Sequence, residues 1–193
     1  MHGRAKSIRR YRGTDGPPRR MHSIEALIRP VADFPVPGVT FRDITPLLAD
    51  ATAFARSIEL LAEPWRAARV QAVCAVEARG FILGAGLAHS MGCGFVPLRK
   101  PGKLPPPVRS VDYALEYGRD RLEMRADALQ PGTRVLLLDD VLATGGTLVA
   151  ARTLVAETGA EVVGAGVLIE LPELGGRARW GDGVPLHALL RYS

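Results

Sequence analysis

The stretch "VLLLDDVLATGGTLVAA", Val135 to Ala151, constrains this chain more than any other. Four consecutive apolar residues, Val135 to Leu138, leave no polar face, so a strand here must be covered on both sides. The run ends in two adjacent acids, Asp139 and Asp140, passes through Ala143, Thr144, Gly145, Gly146 and Thr147, and enters an Ala/Leu-rich stretch of helical character. Strand, glycine turn and helix in that order form the unit from which parallel sheets are built.

The rest of the chain alternates in the same way. "VQAVCAV", "GFVPLR" and "EVVGAGVLIE" read as short buried strands, and "EARGFILGAGLAHSMG" as a charged turn leading into a small-residue helix. "SIEALIRPVADF", with Ser23 as N-cap, and "DATAFARSIELLAEPWRAA", capped by Asp50, have apolar residues at helical spacing. "VDYALEY" and "RLEMRADAL" read as two strands joined by a turn near Gly118, and "LHALLRY" as an edge strand. The expected fold is α/β, a mainly parallel twisted sheet flanked by helices.

A turn of this kind can hold an anion. Adjacent glycines let the backbone approach closely, threonine hydroxyls add donors, and the first N–H groups of the following helix favour phosphate. Neither a GK[ST] nor a GxGxxG pattern is present, so nucleotide loops of those types are excluded. Two carboxylates beside a phosphate repel it unless they contact something else, and a phosphorylated sugar supplies hydroxyls for them to accept or a hydrated Mg²⁺ to meet. Side chains alternate along a strand, so both acids reach one ligand only if the chain turns at Asp140; otherwise one is structural. The plain alternative is that Asp139, Asp140 and Thr144 cap the helix and "TGGT" is only a tight turn.

"VLLLDDVLATGGT" resembles the phosphoribosyl-pyrophosphate (PRPP) motif of the type I phosphoribosyltransferase family. "FPVPGVTFRDITPLL", "VEARGF", "LRKPGKLP", "YALEYG" and "IEL" resemble, in order, the blocks of that family's adenine-using members, over about Ser23 to Tyr192. The resemblance implies a small hood over the sheet, a flexible catalytic loop and a homodimer. It also implies Mg²⁺-dependent conversion of adenine and PRPP into AMP and pyrophosphate. Asp139, Asp140, Ala143, Thr144, Gly145, Gly146 and Thr147 would hold the ribose and its 5-phosphate. Arg79, Arg99, Lys100, Lys103 and Tyr117 would meet the pyrophosphate side, the metal being held mainly by PRPP and water. Phe41, Arg42 and Leu171 would take the base, and Glu116, Arg79 and Lys103 would serve catalysis. For Arg79 alone, an ordinary surface pair with Glu77 is the plain alternative. A different purine base, or a regulator that senses PRPP without turning it over, are the rival functions.

Charge limits the partners. Seven Arg and Lys residues and one acid fall in residues 1–20, and the remaining chain carries a net −1. The basic segment reads as a disordered extension, with Met21 as an alternative start, and residues 21–193 as one phosphoribosyltransferase domain. No nucleic-acid or membrane partner is expected of the body, and two cysteines without CxxC spacing suit a cytoplasmic compartment.

Overall fold

The computed structural model describes residues 23–114 and 119–193. Five strands form a parallel sheet: β3 (Ala72–Val76), β4 (Gly94–Leu98), β7 (Arg134–Leu142), β8 (Glu161–Glu170) and β9 (Leu186–Arg191). Their order is β4-β3-β7-β8-β9. The chain therefore builds outward in one direction from β3 to β4 and in the other from β7 to β9. Its topological switch lies between β3 and β7, and open parallel sheets bind ligands beyond the strand ends at that place.

The apolar run of β7 is covered on both faces, as its sequence requires. Val135 and Leu137 pack with Leu148, Ala151 and Leu154 of α4 (Gly146–Ala156) in one core. Leu136 and Leu138 pack with Leu83 and Leu87 of α3 (Arg79–Met91) in the other, joined by Ile58 and Leu61 of α2 (Ala51–Ala62). All four residues are fully buried, and each aliphatic side chain so removed from water contributes about 1.5–3 kcal/mol. Gly84 lets α3 lie close against β3, because a Cβ there would stand 2.5 Å from that of Ala75.

Asp50 caps α2 as expected, its carboxylate accepting from Thr52 N and Ala53 N at 3.0 Å each. The expected helix over "SIEALIRPVADF" is not formed. A 3-10 turn at Glu25–Leu27 gives way to β1 (Arg29–Val31), paired antiparallel with β2 (Phe41–Asp43). Pro30 explains the break, since it lacks an N–H and disfavours the helical conformation of the residue before it. Ser23 still accepts from Ala26 N at 3.2 Å. Pro64 marks the corresponding end of α2, beyond which Glu63–Trp65 tightens into a 3-10 turn. A short helix, α1 (Thr45–Ala49), follows β2.

β5 (Val108–Ala114) and β6 (Arg119–Arg125) form an antiparallel pair beside α4. The turn that joins them, with Glu116 and Tyr117, lies outside the described residues, as does the basic segment 1–20. Among the described residues, no helix is long and apolar enough to cross a membrane.

Candidate active site

β3 and β7 bring the two charged turns together at the switch. β7 stays extended through Leu142, yet its two acids remain neighbours: Asp139 Oδ1 folds back to accept from Asp140 N at 2.8 Å, and the two carboxyls interact. Asp139 lines a cavity of about 60 Å³ with Ala143, Thr144, Gly145, Gly146 and Thr147. Asp140 Oδ2 lies 2.6 Å from Arg79 Nε at the start of α3. That oxygen is buried and has no aligned hydrogen bond, so the contact is one of charge alone. Burial raises both carboxyl pKa values. It raises Asp139 further because Asp140 stands beside it, while the Arg79 guanidinium partly offsets the effect at Asp140. Gly80 keeps α3 close to this pair, as a Cβ there would meet Asp139 Oδ1 at 3.2 Å.

The loop that lines the cavity with Asp139, Ala143–Thr147, carries small side chains around two glycines. Gly145 has φ +77°, and no side chain caps α4. The first N–H groups of that helix thus remain for a ligand, in the arrangement that suits a phosphate.

The cations expected around this cradle are all paired. Glu77 receives Arg99 Nε and Lys103 Nζ at 2.9 Å each and also accepts from Lys100 N at 2.9 Å. Its burial would raise the carboxyl pKa, but the hydrogen bonds from Lys103, Lys100 and Arg99 outweigh that and hold it below the usual range. Glu77 is therefore not the partner of Arg79, and the simple surface pair is overturned. Lys100 Nζ bonds Asp120 and, at 2.9 Å, Tyr113 Oη; burial depresses its pKa, and these two partners raise it above the ordinary lysine value. Tyr113 Oη is also 3.4 Å from Thr147 Oγ1, so the lysine is linked to the cradle.

A second cavity, of about 330 Å³, is lined by Thr40, Arg42, Leu171, Leu174 and Tyr192 among others. The Arg42 guanidinium stacks 4.3 Å from the Tyr192 ring centroid. Arg42 Nε and Tyr192 Oη are buried there without hydrogen-bond partners. Leu171 N donates to Leu142 O at 2.9 Å, which places this cavity beside the cradle. Phe41 lines neither cavity: its ring meets Phe34 edge to face at 5.2 Å and carries the Arg79 guanidinium 4.7 Å from its centroid.

The structure thus brings Phe41, Arg79 and Asp140 together, groups Asp139 with Ala143–Thr147, and places Arg42 with Leu171. Glu77, Tyr113, Asp120 and Tyr192 were not singled out as site residues. Only Glu77 carried a signal, its place in "EARG" at a strand end.

An anion cradle of glycine backbone, two carboxylates at a switch point and an adjoining half-apolar pocket define a protein of the phosphoribosyl-transferring class. The Phosphoribosyl transferase domain family matches residues 47–181. An adenine phosphoribosyltransferase of Xanthomonas campestris pv. campestris is 58% identical over 165 residues, covering 86% of this chain and 89% of that one. The crystal structure of adenine phosphoribosyltransferase from Thermoanaerobacter pseudethanolicus superimposes with a TM-score of 0.85 at 47% identity, covering 88% and 98% of the two chains. The Giardia lamblia enzyme complexed with 9-deazaadenine gives 0.84 at 36% identity, covering 90% and 99%. The chain belongs to the adenine phosphoribosyltransferase family.

Proposed function

We propose that this protein transfers the 5-phosphoribosyl group of PRPP to adenine, giving AMP and pyrophosphate. The observation that carries this reading is the division of labour at the end of β7, where Asp139 lines a glycine–threonine cradle without basic side chains and Asp140 meets Arg79. A ligand with phosphate at one end, hydroxyls in the middle and a charged leaving group at the other matches that arrangement. The half-apolar pocket with two unpartnered polar groups suits a purine, which has flat apolar faces and a polar edge.

In this reading Ala143–Thr147 hold the 5-phosphate, and Asp139 accepts from a ribose hydroxyl. Arg79 moves from Asp140 to a pyrophosphate oxygen, which releases Asp140 to accept from the second hydroxyl. Arg99, Lys100 and Lys103 exchange their carboxylate partners for pyrophosphate oxygens. The C1–pyrophosphate bond breaks with positive charge developing on the ribose, and adenine N9 forms the new bond to C1. Catalysis is then mainly positioning and charge stabilisation. Leu171 and Phe41 cover the base, and Glu116 takes the purine proton or contacts the ribose, while Tyr117 closes over the reactants.

Among the described residues, no cluster of three or more His, Cys, Asp or Glu side chains could cage a metal. The two oxygen-rich acids instead fit a hydrated Mg²⁺ that takes most of its ligands from the polyphosphate and water. When bound, Mg²⁺ supplies neutralising charge to the pyrophosphate.

A homodimer is the proposed assembly. Its support is the apolar outer surface formed by Ile82, 46% exposed, and Phe95, 37% exposed, the latter meeting Phe81 edge to face at 5.8 Å. A cytoplasmic setting is supported by Cys74 and Cys93 both being free thiols. The deciding experiment is AMP formation from adenine and PRPP with Mg²⁺, run beside hypoxanthine and guanine. Turnover of adenine alone is expected, and equal turnover of guanine or none of adenine would overturn the assignment.

A further inference from the structure

Between the base pocket and the phosphate cradle runs one short segment, residues 171–180. It starts at Leu171, forms a 3-10 turn at Pro172–Leu174 and ends in α5 (Gly176–Trp180). Leu171 and Leu174 line the base pocket, whereas Gly176 abuts the cradle. The contact at Gly176 is backbone on backbone: a Cβ there would stand 2.2 Å from Ala143 O and 3.0 Å from Gly145 N. Reciprocally, a Cβ on Gly145 would stand 2.7 Å from Gly176 O. Neither residue can gain a side chain without moving the other.

The segment is pinned twice through α5. Arg177 forms a bidentate pair with the buried Glu170, Nε to Oε1 at 2.8 Å and Nη2 to Oε2 at 2.7 Å, and donates from Nη1 to Leu186 O at 3.1 Å. Arg152 of α4 donates to Trp180 O at 3.0 Å and stacks on its ring at 4.5 Å. A planar guanidinium held by both carboxylate oxygens fixes direction as well as distance. The strap is thus braced against β8, β9 and α4, while its glycine bears on the loop between β7 and α4.

We propose that this strap is the backing of the phosphate cradle and that Gly176 is a positioning residue for the 5-phosphate, held in place by the Glu170–Arg177 pair. The proposal rests on the reading that Ala143–Thr147 bind the 5-phosphate. A glycine turn has few side-chain contacts of its own and many accessible conformations, so an external support must select the one whose N–H groups converge. Gly176 supplies that support without touching the ligand.

The test compares binding of AMP and adenosine, which differ only by the 5-phosphate, by calorimetry on the wild type, Gly176→Ala, Arg177→Lys and the control Gly181→Ala. Gly181→Ala controls for local strain alone: unlike Gly176, Gly181 has a positive φ, and its added Cβ would meet no atom within 4 Å. Gly176→Ala should weaken AMP about tenfold and leave adenosine within about twofold, as expected for a lost oriented phosphate contact. KM for PRPP should rise in parallel while kcat changes little, whereas a merely less stable protein would lose kcat at constant KM. Arg177→Lys should act in the same direction by about threefold, since a lysine keeps the charge but not the bidentate geometry. An unchanged AMP-to-adenosine ratio in folded Gly176→Ala would overturn the proposal. If that variant fails to fold, an unchanged ratio in Arg177→Lys does so. Wild-type protein that binds AMP no better than adenosine would instead remove the cradle reading itself, and the strap's role with it.

Discussion

The phosphate cradle and the cationic segment Arg99–Lys103 both face the same strand ends, but they are built on opposite principles. The cradle uses backbone, is fixed by Gly145 and the strap behind it, and has no basic side chain in its lining. In the cationic segment, side-chain charges are answered by carboxylates, Glu77 for Arg99 and Lys103 and Asp120 for Lys100. The difference matches the fates of the two phosphate ends in the proposed reaction. The 5-phosphate stays with the sugar throughout and is served by a rigid site. The pyrophosphate departs, and groups that can exchange one anionic partner for another suit a ligand that must leave.

The sharpest way to break this contrast is to disturb the rigid half. Gly145→Ala places a Cβ 2.7 Å from Gly176 O in a backbone conformation with φ +77°. Its kcat/KM for PRPP should fall by about a hundredfold, the scale of an ångström's misplacement. Steady-state kinetics with adenine saturating would check this, and a loss below threefold would show the cradle to be as adaptable as the cationic segment. Next in size is Asp140→Asn, which keeps the shape but removes the charge opposite Arg79. KM for PRPP should rise about tenfold, the scale of one hydrogen bond to a charged group, with the melting temperature nearly unchanged. Unaltered kinetics would confine Asp140 to a structural role.

The adaptable half should respond less. Glu77→Gln frees Arg99 and Lys103 from their shared anion, and PRPP affinity should change by no more than about threefold, because half-exposed ion pairs are weak. Raising the salt concentration should shrink that difference. Glu77 has a depressed pKa in the fold, so its stabilising contribution is present above the unfolded carboxyl value and lost as pH falls through the folded one. Thermal melts of Glu77→Gln and wild type should therefore converge in acid.

The smallest effect concerns Asp139. Burial and Asp140 raise its pKa, so it takes up a proton at milder acidity than an ordinary carboxyl and ceases to accept from a ribose hydroxyl. Its charged form costs the fold stability above the raised pKa, a cost relieved as pH falls through it. KM for PRPP should accordingly begin to rise while other carboxylates are still ionised. An equally steep acid limb in Asp139→Asn would assign the effect elsewhere.

Much of this was legible in the chain because it is local. Val135–Leu138 demanded cover on both faces, and the order strand, acids, glycines, helix is that of β7, its turn and α4. The pleat rule alone does not part Asp139 and Asp140: β7 stays extended, but Asp139 still accepts from Asp140 N and the two carboxyls interact. "SIEALIRPVADF" misled because its apolar spacing is helical, whereas Pro30 and pairing with Phe41–Asp43 decide the outcome. The partners of Glu77 are 22 and 26 residues away, and Tyr192 reaches Arg42 only through the fold. No spacing rule encodes such contacts, since they depend on which strands become neighbours.

Trp180 gives the strap a spectroscopic consequence. The chain has two tryptophans, and they stand on opposite faces of the sheet. Trp65 fills the notch left by Gly164, where a Cβ would stand 2.2 Å from its ring. Trp180 is buried at the end of the strap, its indole donating to Val184 O at 2.7 Å and its ring under Arg152. Intrinsic emission therefore contains one channel in the core with α2 and α3 and one at the end of the strap. With Trp65 replaced by phenylalanine, the remaining fluorophore reports on the strap alone.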